Sequence, residues 1–143
     1  MMAAGLPCPD ELHYDIQHQV WARLEADGST TVGITALGVQ LAGEVYMCRP
    51  KGVGTVVERG RGIAVVELAK SIVSVKSPIS GTVLAVNERL ATAPELVHGS
   101  PYEEGWLARL QPSAWQAESG ALLHGRAVVA AMEHHAWLHR VDG

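Results

Sequence analysis

The chain has 143 residues, a formal net charge of −4 and a composition that is 48% hydrophobic, enough for one real core. Its 11 lysines and arginines form no basic block, which argues against nucleic-acid binding, since phosphate contacts need clustered cations. No apolar run approaches the roughly 20 residues of a membrane span. The start Met1 to Pro7 lacks a signal peptide's basic and apolar regions, so a cytoplasmic location is expected.

Residues 1–12 hold Gly5, Pro7 and Pro9 and read as a loose lead-in to a single domain over 13–143. Trp21 to Glu25 and Thr30 to Ile34 read as strands around an Asp27-Gly28 turn, because Gly accepts φ > 0. Thr35 is placed to cap a helix from Ala36 to Leu41 that Gly43 ends. Short strands follow at Glu44–Cys48, Thr55–Val57, Ile63–Glu67, Ile72–Val75 and Thr82–Val86, with turns between them. That spacing suggests a sandwich or flattened barrel. Gly54-Thr55-Val56-Val57 echoes Gly81-Thr82-Val83-Leu84, which hints at an internal two-fold. Ser113 is placed as the cap of a helix over Trp115–Leu123, broken at Gly125. Ala127 to Leu138 reads as a second helix, with Val128, Val129, Met132 and Ala136 along one side.

The segment from Val65 to Val75 carries a lysine, Lys70, on the link between two apolar strands. The link has neither Gly nor Asn, so a type I-like turn is expected. A lysine at such a tip keeps its amine in water, within reach of an attaching enzyme. With a lipoyl group added, the arm would span roughly 14 Å, counting about eleven ordinary bonds. A surface lysine on a turn ordinarily does no more than solubilise, and the hairpin alone does not decide between the two.

The rest of the chain does. From about Trp21 to Leu138 it resembles the H-protein of the glycine cleavage system. Trp21 to Gly28 is similar to the family's opening hairpin, and Val32-Gly33-Ile34-Thr35 to the entry of its first helix. Glu67-Leu68-Ala69-Lys70 matches its Glu-x-x-Lys lipoylation motif, and Ser77-Pro78-Ile79-Ser80-Gly81 follows at the family's spacing. The most specific stretch is Leu90…Pro94-Glu95-Leu96-Val97…Pro101-Tyr102-Glu103-Glu104-Gly105-Trp106-Leu107.

The resemblance implies a mostly β fold. It is a barrel-sandwich hybrid of two antiparallel sheets, with a short helix after the first hairpin and helices at the C-terminus. It also implies lipoic acid amide-linked to Lys70, with Glu67 as the element read by the lipoate-attaching enzyme. Related biotinyl domains set their lysine between methionines, whereas Lys70 lies between Ala69 and Ser71. The implied role is non-catalytic, a carrier for partner enzymes that include dihydrolipoamide dehydrogenase. No Ser/His/Asp order, phosphate loop or carboxylate pair in the sequence points to an enzyme.

Three positions depart from the family. In H-proteins a glutamate before the first-strand tryptophan, an aspartate four residues after the lipoyl lysine and an aromatic or His after Gly-Ile-Thr hold the aminomethyl cargo. Here those positions are Val20, Ser74 and Leu37. None could pair with an ammonium group, whose unpaired burial is costly. The H-protein-like lipoate-binding proteins of bacterial sulfur oxidation fit better, since a sulfur cargo needs no carboxylate clamp. Their partner is a heterodisulfide-reductase-like complex. A diverged glycine-cleavage H-protein, serving the glycine-cleavage enzymes, is the alternative.

Some features stand outside this reading. His124, His134, His135 and His139 crowd the C-terminal region, and the i, i+4 pair His135/His139 could hold a metal, though helix-end histidines are the expectation. Cys8 and Cys48 read as free thiols, with a disulfide the alternative. Cys48 reads as core filling, or as a partner in a mixed disulfide with a sulfur cargo. Trp106 and Trp115 read as packing residues, and Arg59 and Arg61 as a solvated turn.

Overall fold

The computed structural model describes residues 1–139. The strands are β1 (Met2–Ala3), β2 (Leu6–Pro7), β3 (His13–Asp15), β4 (Val20–Leu24), β5 (Thr30–Ile34), β6 (Met47–Pro50), β7 (Val56–Val57), β8 (Gly62–Glu67), β9 (Ile72–Lys76), β10 (Gly81–Val86) and β11 (Ala108–Pro112). The α-helices are α1 (Ala36–Ala42), α2 (Leu96–Gly99), α3 (Trp115–Glu118) and α4 (Ala127–His139), with 3₁₀ turns at Glu88–Ala91 and Ser119–Ala121.

The strands form antiparallel sheets in a sandwich-like arrangement, as the resemblance implies. One sheet runs β3-β4-β5-β11-β10-β7 and the other β6-β8-β9, with β1 and β2 as a small ribbon. Between the two larger sheets lies a core built by two-residue alternation. Val20, Ala22 and Val32 enter it from the first sheet, with Val83 and Leu110, and meet Cys48, Ile63, Ala64, Val66 and Val75 from the second. The two echoing segments lie side by side: Val57 pairs with Gly81 and Val56 with Thr82.

A second core lies on the other face of β4. Trp21 projects there with 0% exposure, among Leu12, Tyr14, Leu37, Tyr102, Val128 and Met132. Its indole N–H donates to the carbonyls of Ile34 and Pro101, each at 3.1 Å. Arg23 lies over the same ring, 5.4 Å from the centroid, and donates to the Tyr102 carbonyl at 3.0 Å. The Tyr102 hydroxyl accepts from Ala36 N–H and donates to the Pro7 carbonyl, both at 3.0 Å. Within the most family-specific stretch of the sequence, Pro101 and Tyr102 therefore brace β4, α1 and the N-terminus together.

Local signals set α1. Thr35 Oγ1 accepts from Gly38 N–H at 2.9 Å, and Gly43 ends the helix at φ +84°. Two expectations need correction. Residues 1–12 are packed rather than loose: β1 and β2 pair, Ala3, Cys8 and Leu12 are buried, and the Met1 ammonium meets Asp10 at 2.8 Å. The helix expected over Trp115–Leu123 is a single α-turn followed by a 3₁₀ turn. Ser113 does not cap it: Ala114 stands at the cap with no side-chain bond. Instead Glu118 bonds the Ser80 N–H and hydroxyl at 2.7 and 2.6 Å, and Leu123 bridges to Tyr14. The final helix runs as expected and buries Val128 and Met132.

Both cysteines are free and buried. Burial pushes the Cys48 thiol up to about 12, which removes the thiolate a mixed disulfide requires. Cys48 is core filling. No helix among the described residues is long and apolar enough to cross a membrane.

Two results are expected. A Cβ at Gly33 would come 2.5 Å from the Trp21 ring, so Gly33→Ala should destabilise by roughly 1–3 kcal/mol, read as a lowered Tm. An unchanged Tm would contradict this packing. Iodoacetamide at neutral pH should label neither cysteine in the native protein and both after unfolding. Prompt native labelling of Cys48 would show that it is not core.

Candidate functional site

Lys70 lies in the link Leu68–Ser71 between β8 and β9, closed by Leu68 N–H donating to the Ser71 carbonyl at 2.8 Å. Among the described residues only Ala4 and Gln19 are non-glycine residues at positive φ. The link thus has no left-handed position, as its lack of Gly and Asn predicts. Below it Glu67 pairs with Ile72 and Val66 with Val73.

Burial divides this hairpin in two. Its base is anchored in the first core by Ile63, Ala64, Val66 and Val75. Its tip stands in solvent, with Ile72 69% and Val73 42% exposed. β6 braces the base: Cys48 pairs with Val66, and Tyr46 N–H donates to the Glu67 carbonyl at 2.8 Å. The side chains of Glu67 and Lys70 are exposed. Neither makes an ion pair among the described residues.

A groove of about 400 Å³ runs along the hairpin. Val66, Leu68, Val73, Ser74 and Lys76 form one wall. Ile34, Gly38, Leu41 and Ala42, with Gln17, His18, Gln19 and His135, form the other. Gln19 holds the second wall in place from a left-handed backbone, φ +55°. Its Oε1 accepts from the Thr35 hydroxyl at 2.6 Å, its Nε2 donates to the Ile16 carbonyl at 2.8 Å, and its own carbonyl accepts from Thr35 N–H at 3.0 Å. A Cβ at Gly38 would come within 2.8 Å of Gln19 Cβ, so α1 lies hard against this turn.

His18 is fixed by Asp15. One carboxylate oxygen accepts His18 N–H at 3.1 Å and the other lies 2.8 Å from Nδ1. Among the described residues no Asp or Glu lines the groove, whereas Lys76, His18 and His135 do. Burial, followed by His139 and His134, pushes His135 below its usual value and so toward the neutral form. The His135 and His139 rings lie 4.2 Å apart. No group of three metal-ligating side chains occurs among the described residues.

Of the three positions at which the chain departs from H-proteins, Ser74 alone lines the groove. Val20 is in the first core and Leu37 in the second. The expectation that all three face one pocket is therefore corrected. His18, Asp15 and Lys76 were not singled out in the sequence. The i, i+3 spacing of Asp15 and His18 was the one local signal of their pairing.

Residues 12–135 match the family model described as glycine cleavage H-protein. The chain is 41% identical over 125 residues to the glycine cleavage system H protein of Cronobacter sakazakii, covering 87% of this chain and 95% of that one. It is 35% identical over 131 residues to glycine cleavage system H protein 2 of Aquifex aeolicus, covering 92% and 81%. Its fold matches the crystal structure of a glycine cleavage system H protein from Mycobacterium marinum with TM-score 0.74 and 26% identity, covering 92% of this chain and 98% of that one. The chain belongs to the glycine cleavage H-protein family, whose members are lipoyl carriers rather than catalysts and hold lipoate covalently on a lysine.

Proposed function

We propose that lipoate is attached to Lys70 and that Glu67 is read by the attaching enzyme. The observation that carries this is the exposed lysine on a solvent-standing link whose base is anchored in the core. Glu67 stands three residues before it, with a free carboxylate. The groove also fits the group. An aliphatic arm can lie against Ile34, Leu41, Leu68 and Val73, all lining residues. Burying such a chain contributes about 0.8 kcal/mol per methylene. When bound, the lipoyl group supplies a dithiol that carries the cargo. The protein's own residues position the arm and shield it from water.

The relatives' names favour cargo exchange with the glycine-cleavage enzymes, in which the arm carries an aminomethyl group. Dihydrolipoamide dehydrogenase then reoxidises the dithiol. A second reading, sulfur carriage for a heterodisulfide-reductase-like complex, is favoured by one observation. Among the described residues the groove is lined by no carboxylate to hold an ammonium, and by Lys76 and two histidines instead. That lining suits a neutral or anionic cargo better than a cation.

Intact mass tests the attachment. Co-expression with a lipoate-attaching enzyme should add one lipoyl group, about 188 Da, and Lys70→Arg should abolish the gain. A folded wild-type chain that gains nothing would sink the assignment. Glycine–bicarbonate exchange with the glycine-cleavage decarboxylase then decides the cargo. Exchange by the lipoylated chain is the result expected of the first reading. No exchange from fully lipoylated, folded protein would transfer the assignment to sulfur.

A further inference from the structure

We propose that the Asp15–His18 pair is a proton acceptor for the thiols of the reduced lipoyl arm. The proposal rests on lipoate at Lys70 but holds for either cargo. His18 lines the groove opposite the β9 wall. Its Nδ1 is taken up by Asp15 Oδ2 at 2.8 Å, while Asp15 Oδ1 accepts the His18 backbone N–H at 3.1 Å. A single carboxylate therefore fixes both the turn and the ring. This leaves Nε2 as the free nitrogen, with no hydrogen bond to it among the described residues.

A carboxylate on Nδ1 sets the tautomer that leaves Nε2 able to accept, and it stabilises the imidazolium that forms. The pair is shielded, with the Asp15 side chain 12% and the His18 side chain 29% exposed. The arm's roughly 14 Å reach is ample, because the groove begins at Leu68 and Val73 on the same hairpin.

The step is a proton transfer. The S–H bond breaks, the proton goes to His18 Nε2 and the electron pair stays on sulfur as a thiolate. Asp15 remains a carboxylate beside the imidazolium. The proton returns when the sulfur is next protonated. Both cargo readings need such a step, because the thiolate is the nucleophile and the thiol is not. Among the described residues the other charged or titratable groups on the groove are Lys76 from β9 and His135 from α4, the latter against His139. Lys76 favours a thiolate too, so its substitution serves as a control for plain charge.

The test uses the lipoylated chain, its single lipoyl group verified by mass and its arm reduced with a phosphine. The rate of iodoacetamide alkylation at the lipoyl sulfurs is followed against pH, with the Lys70→Arg chain as background. Relative to wild type, His18→Gln should move the profile up by about one pH unit, an alkylation about tenfold slower near neutrality. Asp15→Asn should give a shift in the same direction and about as large, because its oxygen keeps the turn bond while its amide donates to Nδ1 and leaves the proton on Nε2. Lys76→Gln should lower the rate without removing the step that His18 imposes. Matching profiles for wild type and His18→Gln, both folded by near-UV circular dichroism, would overturn the proposal. Chain that never gains the lipoyl mass would overturn the Lys70 reading, and this proposal with it.

Discussion

Strand β4 has to bury both of its faces, and the rest of the fold follows from that constraint. Val20 and Ala22 point into the sandwich, while Trp21 points the other way into a second core. The indole is too large to bury without a partner for its N–H. The carbonyls of Ile34 and Pro101 supply it, from segments far apart in the chain. Gly33 leaves room for the ring. Around that ring gather α1, α4, Tyr102 and the N-terminal ribbon.

The site inherits its rigidity from this arrangement. The small β6-β8-β9 sheet has its base in the core that β4 helps build, so only its tip is free. The tip carries a lysine at a defined place instead of on a wandering loop. The groove beside it forms where α1 and the Gln17–Gln19 turn meet β9. The side chain of Gln19 locks that turn through Thr35, the residue that also caps α1. One threonine thus links helix start, groove wall and strand end.

Much of this was legible, for local reasons. Thr30–Ile34 is β-branched and became a strand with those bounds. Thr35 and Gly43 marked both ends of α1. Two apolar runs around a link without Gly announced the lysine hairpin. What was missed depends on distant contacts. The Gly- and Pro-bearing N-terminus reads as loose, yet the Tyr102 hydroxyl and Met132 side hold it down. Strand β11 carries polar residues at its outward positions and gains its identity from pairing with β10 and β5. The groove draws on residues from 17 to 135, so no window of sequence contains it. For the same reason Val20 and Leu37 could be aligned with a polar pocket that their side chains do not reach.

The central claim is that the hairpin presents one position, not merely a lysine. The exchange variant Ala69→Lys/Lys70→Ala tests it most directly, because it moves the amine by one residue within the same exposed link. Intact mass after co-expression with the attaching enzyme gives the answer. The account predicts no lipoyl gain from the folded variant under conditions that modify the wild type fully. A full gain would show that any exposed amine at this tip suffices, and would contradict the claim.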